Sequence, residues 1–588
     1  MSEPNDGPAA TPGPAAATGI RRAAALAPRR GAQLLLELLE SEGVEYIFGN
    51  PGTTELPLID ALLTTTQIAY VLALQEASVV AMADGYAQAA RRPGFINLHT
   101  AGGLGHGLGN LLNASISGTP LVVTAGQQDS RHALMDPLLF GDLVGIAAPS
   151  VKWAREVTHV DQLPILVRRA FLDCSAAPSG PVFLSLPMDM MEAMTDIAVP
   201  ERSTIDTAAV AGSLDRMADL LASVAPGRLA LIAGDEVSAR GNAGGGAPGG
   251  GATDEMVMLA DALGAPVYGS SWPAHLPFPT AHPLWSGNLP TRADEIADVL
   301  SNYDALFALG GKSVITILYT EGPAVPDTCR VFQLSTDVRD LGRSYPTELS
   351  LQGDIQASLR VLVPMLRERV APRRDAHDRA AASHAAGMRA RRGRLAAQAD
   401  REASQPVTTP LVAAREVLRA IGPGVPIVDE AIATSGYLRS LLYSESVRQY
   451  AFLRGGALGW GLPASVGYSL GIGREPVVCL VGDGAALYSP QALWTAAHEK
   501  LPVTFVVMNN REYNILKTYM KGQAHYLSRA ANRFIAMDLV DPPIDYLALA
   551  ASMGVAARRV ERAGDIAAAV EAGIASGAAN LIEVPISV

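Results

Sequence analysis

Cysteine is scarce in this chain. Only Cys174, Cys329 and Cys479 occur among its 588 residues, and they lie far apart. Their spacing matches neither a disulfide framework nor a cysteine metal site. So few thiols are typical of a protein from a reducing compartment, and we therefore expect a cytoplasmic protein.

Long hydrophobic runs are also missing. No apolar stretch reaches 18 residues, so we expect neither a membrane-spanning helix nor a membrane partner. Charged residues make up only 18% of the chain, and the formal net charge of −12 argues against binding to nucleic acid. Hydrophobic residues, by contrast, make up 49%. That is enough to build the cores of three or four domains of roughly 150 residues each.

Short apolar runs alternate with helical patterns along most of the chain. This alternation predicts an α/β protein with three doubly wound, parallel-sheet domains. We assign the three domains to residues 28–200, 205–370 and 405–588. Residues 1–27 are rich in Pro, Ala and Gly and are expected to be a disordered tail. Residues 371–404 are rich in Ala and Arg and are expected to form a partly helical linker.

The most informative motif lies in the third of these domains. One apolar run ends in Gly-Asp-Gly at Asp483, and the next ends in Asn-Asn at Asn510, with a helical pattern between them. The two strands should therefore be parallel, and both side chains should meet at one edge of the sheet. A carboxylate and an amide oxygen suit Mg²⁺, and the small residues Gly484 and Ala485 would let backbone N–H groups approach a phosphate. Gly-Asp-Gly alone ends many strands, but the paired motif predicts a metal-bridged diphosphate cofactor.

The paired motif resembles the signature of thiamine-diphosphate enzymes, and further matches to this family follow in the same order along nearly the whole chain. The matching stretches are residues 48–52, 72–77, 95–99, 124–128, 277–283, 493–497 and 508–510. The resemblance is closest to the benzoylformate decarboxylases, within the larger group that contains the pyruvate decarboxylases and acetohydroxyacid synthases. It implies that the three domains are, in order, pyrimidine-binding, middle and diphosphate-binding domains.

The same resemblance implies thiamine diphosphate and Mg²⁺ as cofactors. Asp483, Asn510 and the backbone carbonyl of Glu512 would bind the metal ion. Gly456 would offer its carbonyl to the 4′-amino group of the aminopyrimidine, and Leu458 would hold the cofactor in its bent form. The other residues expected to contact the cofactor are Asn50, Glu76, Ile432, Ala433, Gly484, Ala485 and Tyr513.

Glu76 is the residue on which the expected mechanism depends. It lies in a mostly apolar stretch, where a buried carboxylate is costly unless it has a partner. A structural ion pair would be one such partner. The resemblance instead implies that Glu76 hydrogen-bonds N1′ of the aminopyrimidine. This contact would drive the 4′-amino group to an imine that removes the C2 proton of the thiazolium ring.

Two further residues are expected to act on the substrate. His99 ends an apolar run before a Gly-rich turn, a position that suits acid–base chemistry at a sheet edge, although a structural turn histidine is the alternative. The resemblance implies that His99 transfers protons at the C2 adduct. Thr53 matches a serine of the family and keeps a hydroxyl that can bond a substrate carboxylate. His106, in the next Gly-rich stretch, is assigned no role.

The expected substrate pocket departs from the family at three positions. Ile317 matches a second active-site histidine, Ile432 a threonine and Ile515 an alanine. Because branched side chains narrow a pocket, we expect a small or aliphatic 2-oxo acid. The residues expected to line the pocket are Thr53, His99, Leu138, Leu139, Ile515 and Tyr519.

We therefore expect a thiamine-diphosphate- and Mg²⁺-dependent lyase that decarboxylates a 2-oxo acid without oxidation. The alternatives are a carboligase of the acetohydroxyacid synthase type, a 2-hydroxyacyl-CoA lyase and a catalytically silent cofactor-binding protein. The expected partners are a small 2-oxo acid or aldehyde and further copies of the chain, because the family holds each cofactor between two subunits. A dimer is the smallest assembly that this arrangement allows, and a tetramer is the commoner family state.

Overall fold

The computed structural model describes residues 27–238 and 251–588. Within these residues it contains three six-stranded sheets, one in each segment where the sequence predicts a doubly wound domain. All the strand pairs inside these sheets are parallel, so the predicted α/β fold is confirmed. The expected disordered tail lies outside the described residues, except for Ala27. No helix in the described part of the chain is long and apolar enough to cross a membrane.

The first domain combines eight strands with seven helices among the described residues. Its strands are β1 (Arg29–Arg30), β2 (Tyr46–Gly49), β3 (Ala69–Leu72), β4 (Gly94–His99), β5 (Leu121–Gln127), β6 (Ala154–Glu156), β7 (Val182–Pro187) and β8 (Met194–Thr195). Its helices are α1 (Gly31–Glu42), α2 (Leu56–Ala61), α3 (Glu76–Ala90), α4 (Thr100–Ser117), α5 (Leu143–Ala147), α6 (Leu163–Ser175) and α7 (Met188–Glu192). The main sheet has the order β3-β2-β4-β5-β7-β6, and β1 pairs separately with β8 in an antiparallel ladder.

The middle domain has a different strand order. Its strands are β9 (Leu229–Ala233), β10 (Val267–Gly269), β11 (Trp285–Asn288), β12 (Ala305–Leu309), β13 (Arg330–Ser335) and β14 (Leu349–Gln352). Its helices are α8 (Leu214–Ser223), α9 (Asp235–Ser238), α10 (Thr253–Leu263), α11 (Ala293–Leu300) and α12 (Ile355–Val370). The order β11-β10-β9-β12-β13-β14 reverses direction between β9 and β12, the place where sheets of this kind open a crevice.

The segment predicted as a linker forms one long helix, α13 (Arg374–Glu402), of 29 residues. It packs against the middle domain, where His377 Nδ1 lies 2.6 Å from the carbonyl oxygen of Leu263. Farther along, the Arg392 guanidinium lies 5.0 Å from the ring centre of Tyr443 in the third domain. The helix therefore contacts both domains that it connects.

The third domain repeats the layout of the first. Its strands are β15 (Ile427–Glu430), β16 (Tyr450–Phe452), β17 (Val477–Gly482), β18 (Val503–Asn509), β19 (Ala556–Arg559) and β20 (Asn580–Pro585). Its helices are α14 (Pro410–Ile421), α15 (Ile432–Leu441), α16 (Gly461–Gly471), α17 (Asp483–Ala486), α18 (Ala492–His498), α19 (Asn514–Gly522), α20 (Leu527–Ala531), α21 (Tyr546–Ser552) and α22 (Ala563–Ala575). The sheet order β16-β15-β17-β18-β20-β19 is the order of the first main sheet, strand for strand.

The first and third domains share one core through α3 and α16. A β-carbon at Gly85 would lie 2.1 Å from the carbonyl oxygen of Ala464, and one at Gly467 would lie 1.8 Å from that of Met82. The backbones of α3 and α16 therefore approach more closely than they could if either glycine carried a side chain. The indole nitrogen of Trp460, just before α16, donates a 2.8 Å hydrogen bond to the buried Asp84 of α3.

Candidate functional site

Asp483 and Asn510 lie side by side at the carboxyl edge of the third sheet. Asp483 directly follows β17, and the register pairs Gly482 with Met508 of β18. The Asp483 carboxylate is only 5% exposed and accepts hydrogen bonds from the backbone N–H groups of Gly484 (2.9 Å) and Arg511 (2.6 Å). Burial raises the pKa of Asp483 to about 6, against the opposing effect of these hydrogen bonds. No ion pair to Asp483 occurs among the described residues, so a cation at this edge would compensate a buried charge.

The third expected metal ligand, Glu512, presents only its backbone to this edge. Its carboxylate is paired with Lys517, whereas its N–H donates to the Asn510 side-chain oxygen at 3.1 Å. In the parts of the chain that the structure describes, no group of three or more His, Cys, Asp or Glu side chains could hold a metal. The available donors are one carboxylate, one amide oxygen and one carbonyl, a set of hard oxygens that fits Mg²⁺.

Small residues follow Asp483 for a steric reason. A β-carbon at Gly484 would lie 2.5 Å from the ring of Tyr513, so only glycine fits beneath that ring. Ala485 is next in the short helix α17, and the Tyr546 hydroxyl fixes the start of that helix by donating to the Asp483 carbonyl at 2.9 Å. The Gly484 backbone and the Tyr513 ring thus meet at this corner, and Ala485 is the next residue along the chain.

The loop at residues 455–459 is held from two sides. The Asn113 amide of α4 accepts from the Ala457 N–H at 3.0 Å and donates to the Ala457 carbonyl at 2.8 Å. Buried Glu430, at the end of β15, accepts from the N–H groups of Gly459 and Gly461, both at 2.7 Å. Burial raises the pKa of Glu430 to about 7.

Gly456 lies in this loop with a φ of +81°, which favours glycine, and nothing lies within 4 Å of the position of a β-carbon there. Leu458 is half-buried beside it. Ile432 and Ala433 begin α15 at the same sheet edge and are also half-buried. The loop and the start of α15 thus form an open, partly apolar rim.

Glu76 is the first residue of α3 and is 9% exposed. Its Oε1 accepts a 3.2 Å hydrogen bond from the Asn50 amide, and its Oε2 lies 3.2 Å from His106 Nδ1. A β-carbon at Gly103 would lie 3.3 Å from the Glu76 side chain, so a glycine here lets α4 pack closely against the carboxylate. No sequence pattern predicts that His106 lies here, because the contact spans 30 residues and belongs to no motif.

His99 ends β4 and contacts a second carboxylate that the sequence analysis missed. Its Nδ1 lies 2.7 Å from Oε2 of Glu55, which is 2% exposed. Glu55 also accepts from the Gly52 N–H at 2.8 Å and from the Thr54 hydroxyl at 2.7 Å. A carboxylate at Nδ1 fixes the imidazole so that Nε2 is left for other partners. Thr53 is exposed at the rim, and the hydroxyl that approaches His99, at 3.2 Å, belongs to Thr54.

The remaining expected pocket residues are distributed over the three domains, and Leu138 is tied to the end of β5 by a 2.7 Å hydrogen bond from Gln128 to its carbonyl. Leu138 is 85% exposed and Leu139 43% exposed, in an apolar surface segment of the first domain. Ile515 and Tyr519 are half-buried on α19 of the third domain, and Ile317 is 42% exposed in the middle domain. Among the described residues, no hydrogen bond or ion pair joins the Glu76 and His99 group to the Asp483 group. The candidate site residues of one chain thus fall into two groups, one around Glu76 and His99 and one around Asp483, which we call half-sites.

Comparisons with known proteins agree with this arrangement. The models of the thiamine pyrophosphate enzyme N-terminal TPP binding domain, central domain and C-terminal TPP binding domain match residues 29–144, 242–362 and 438–584. Benzoylformate decarboxylase of Pseudomonas aeruginosa is 31% identical over 555 residues, which cover 93% of this chain and 97% of that protein. The acetolactate synthase isozyme 3 large subunit of Escherichia coli is 26% identical over 500 residues, which cover 83% of each chain.

Solved structures give the same result over almost the full length. The thiamine diphosphate-dependent 4-hydroxybenzoylformate decarboxylase of Rhodococcus jostii superposes with a TM-score of 0.80 at 28% identity, covering 95% of this chain and 99% of that one. Benzoylformate decarboxylase of Polynucleobacter necessarius superposes with a TM-score of 0.81 at 27% identity, with the same coverage. The chain belongs to the thiamine pyrophosphate enzymes, as a relative of the benzoylformate decarboxylases and acetolactate synthases.

Proposed function

We propose that this thiamine-diphosphate-dependent enzyme is a lyase that uses Mg²⁺ to decarboxylate a 2-oxo acid, releasing CO₂ and an aldehyde. The observation that carries the proposal is the pairing of two buried carboxylates with separate partners in the first domain. Glu76 is held by Asn50 and packs closely against Gly103, and Glu55 is held against His99. A catalytically silent cofactor-binding protein would have no use for either arrangement.

The oxygen donors of the third domain fit a divalent ion that bridges to a diphosphate. Asp483, Asn510 and the Glu512 carbonyl would hold Mg²⁺, and the backbone at Gly484 and Ala485 would face the phosphate oxygens. When bound, thiamine diphosphate supplies a nucleophilic carbon and an electron sink for the electrons that CO₂ leaves behind.

Glu76 would hold a proton at N1′ of the aminopyrimidine. Asn50 occupies one carboxylate oxygen and His106 lies at the other, so the carboxylate is kept at a fixed angle at the start of α3. His99 would supply or remove a proton at the reacting carbon through Nε2, because Glu55 occupies Nδ1. Thr53, exposed on the rim of the same turn, remains the hydroxyl proposed to meet the substrate carboxylate.

The proposed substrate is small or aliphatic. Isoleucine stands at positions 317, 432 and 515, where the family's pattern has a histidine, a threonine and an alanine. Ile432 and Ile515 are bulkier and more apolar than the family's residues, which narrows the space for a phenyl ring. Ile317 removes the second histidine and leaves His99 with more of the proton transfer. The proposed substrate therefore differs from the aromatic 2-oxo acids for which the decarboxylase relatives are named.

Carboligation is the second candidate function, favoured by the acetolactate synthase relatives. Both reactions share the decarboxylation step and differ in the acceptor. Product analysis with and without an added aldehyde or a second 2-oxo acid separates them: a 2-hydroxy ketone as the main product would replace our proposal by the carboligase.

We also propose that the enzyme works as a homodimer at least, with a tetramer as the expected assembly. The two half-sites on one chain share no hydrogen bond or ion pair among the described residues, so Glu76 of one subunit would face Asp483 of another. Leu134, Met135 and Leu138 are 97%, 80% and 85% exposed, and such an apolar patch is typical of an interface.

The test is a CO₂-release screen over 2-oxo acids of graded size, from pyruvate to benzoylformate, with thiamine diphosphate and Mg²⁺ added. We expect turnover with short aliphatic acids, and we expect Glu76→Gln to bind the cofactor without turnover. Faster turnover of benzoylformate than of every aliphatic acid would contradict the narrowed pocket. Full turnover by the Glu76→Gln variant would contradict the mechanism.

A further inference from the structure

The middle domain docks onto the third sheet immediately before the 455–459 loop. The edge strand β16 donates from the Phe452 N–H to the Ala274 carbonyl at 2.8 Å, and Ala451 pairs with His275 in an antiparallel bridge. The indole nitrogen of Trp272 donates to the Leu453 carbonyl at 3.0 Å. Middle-domain residues 272–275 thus extend the sheet that carries the diphosphate half-site.

Arg454 follows at once and is 9% exposed. Its Nη1 lies 2.7 Å from Oδ2 of Asp235, the first residue of α9, and donates to the Trp272 carbonyl at 2.5 Å. The other oxygen of Asp235 accepts from the Ala274 N–H at 2.9 Å. Among the described residues, this is the ion pair that joins the middle domain to the third domain.

A buried ion pair gains little stability over apolar residues of the same size, so its presence favours a role in positioning. On this side of the loop, Asp235, His275 and Arg454 border a cavity of about 930 Å³ between the three domains. Asn113 and Glu430 hold the loop from its other sides. The Ala274 and Trp272 contacts fix the chain as far as Leu453, and the guanidinium with its two middle-domain partners continues this attachment at Arg454, the last residue before the loop.

We propose that Arg454 is a positioning residue. Its ion pair with Asp235 holds the backbone that leads into Gly455 and Gly456, so that the Gly456 carbonyl stands where the aminopyrimidine binds. This inference rests on the proposed function for the role of Gly456. It assigns the middle domain a direct part in shaping the cofactor site.

The test measures binding of two ligands to the full-length enzyme by calorimetry: thiamine diphosphate with Mg²⁺, and inorganic pyrophosphate with Mg²⁺. Pyrophosphate reports the Asp483 corner alone, whereas thiamine diphosphate also reports the loop. We expect Arg454→Met to weaken thiamine diphosphate binding by about tenfold, as expected for the loss of hydrogen bonds from a charged group, and to change pyrophosphate binding by less than about twofold.

The matched control is Arg439→Met. Arg439, on α15, lies over the rings of Phe452 (4.7 Å) and Trp272 (6.0 Å) at the same domain contact and donates to the Tyr450 hydroxyl at 3.0 Å. Among the described residues it makes no hydrogen bond to residues 455–459. We expect this variant to bind both ligands like the wild type. An equal loss of thiamine diphosphate binding in both arginine variants would assign the effect to the domain contact in general and overturn the proposal.

A double variant, Asp235→Asn with Arg454→Met, separates positioning from an uncompensated buried charge. If the pair positions the loop, the double variant stays about tenfold weak for thiamine diphosphate. If it regains wild-type affinity, the single variant was weak only because it buried an unpaired carboxylate, and the proposal is wrong. Wild-type protein that binds thiamine diphosphate but releases no CO₂ would refute the proposed function, and the binding comparison would still decide the role of Arg454.

Discussion

Glu55 shows how much of the chemistry at the residue scale rests on side chains outside any motif. Its buried carboxylate lies against Nδ1 of His99 at 2.7 Å and also accepts from the Gly52 N–H. A histidine held in this way presents Nε2 in a single orientation and a single tautomer. The acid–base function assigned to His99 therefore depends on two residues.

Replacing Glu55 with Gln tests this dependence. The amide keeps the shape and one acceptor oxygen but loses the negative charge beside the imidazole. We expect kcat to fall by about a hundredfold, at the low end of what positioned acid–base groups contribute, with cofactor binding unchanged. Steady-state kinetics over a range of pH measures this. An unaltered pH–rate profile in the Gln variant would mean that His99 acts without Glu55.

Glu430 gives a prediction for pH dependence. Burial raises its pKa from 4.5 to about 7, so the folded protein binds a proton that the unfolded chain has lost at the same pH. Stability should therefore fall as the pH rises from about 4.5 to 7. Thermal unfolding of the wild type and of Glu430→Gln across this range measures the contribution of Glu430. Burial also raises the pKa of Asp429, but that contribution is present in both proteins and cancels in the comparison. We expect a flatter decline in the Gln variant, and parallel curves would assign the decline to other groups.

The sequence located Glu76, Asp483 and Asn510 because each belongs to a short local motif at the end of an apolar run. It missed Glu55 and His106 because their contacts reach across 44 and 30 residues. Such contacts are made by the packing of helices and strands, which no local pattern records. The sequence pattern predicted a role for Thr53 but none for Thr54. The hydroxyl that approaches His99 is that of Thr54, and the conformation of the turn, which the sequence pattern does not show, determines this.

At the scale of elements, the strands were the most predictable part of the fold. Every side chain from Val477 to Val481 is fully buried, as a central parallel strand requires, and this is why the apolar run is continuous rather than alternating. The pairing of α3 with α16 was not predictable. It depends on Gly85 and Gly467 lying opposite backbone carbonyls of another domain, and a helical glycine looks the same in sequence whether its surroundings are crowded or open.

Substitution of Gly85 with Ala should separate these helices. The new methyl group would lie 2.1 Å from the Ala464 carbonyl oxygen, and backbone at such a contact cannot move aside cheaply. We expect a loss of roughly 1–3 kcal/mol of stability, typical of overpacking, seen as a lower unfolding temperature. Gly387→Ala is the control, because Gly387 lies in α13 with nothing within 4 Å of a β-carbon, and a helical Gly-to-Ala change there should be stabilising. Equal effects of the two changes would contradict the close contact.

At the scale of the whole molecule, the chain carries one half-site on its first domain and the other on its third. These domains share the same strand order and pack through equivalent helices, α3 and α16. Such an arrangement leaves the carboxyl edge of each sheet free to face another subunit. Two chains related by a twofold axis would then complete two sites at once, as closed symmetry requires.

Mixing two inactive variants tests this directly. In a dimer that combines a Glu76→Gln chain with an Asp483→Asn chain, one site receives both changes and the other receives neither. Random pairing of equal amounts makes half of the dimers mixed, so activity should return to about a quarter of the wild-type value. As a control, the Glu76→Gln chain paired with the Glu76→Gln/Asp483→Asn chain has no intact site and should stay inactive. If native mass spectrometry shows mixed dimers and no activity returns, both half-sites act within one chain and the proposed subunit-shared site is wrong.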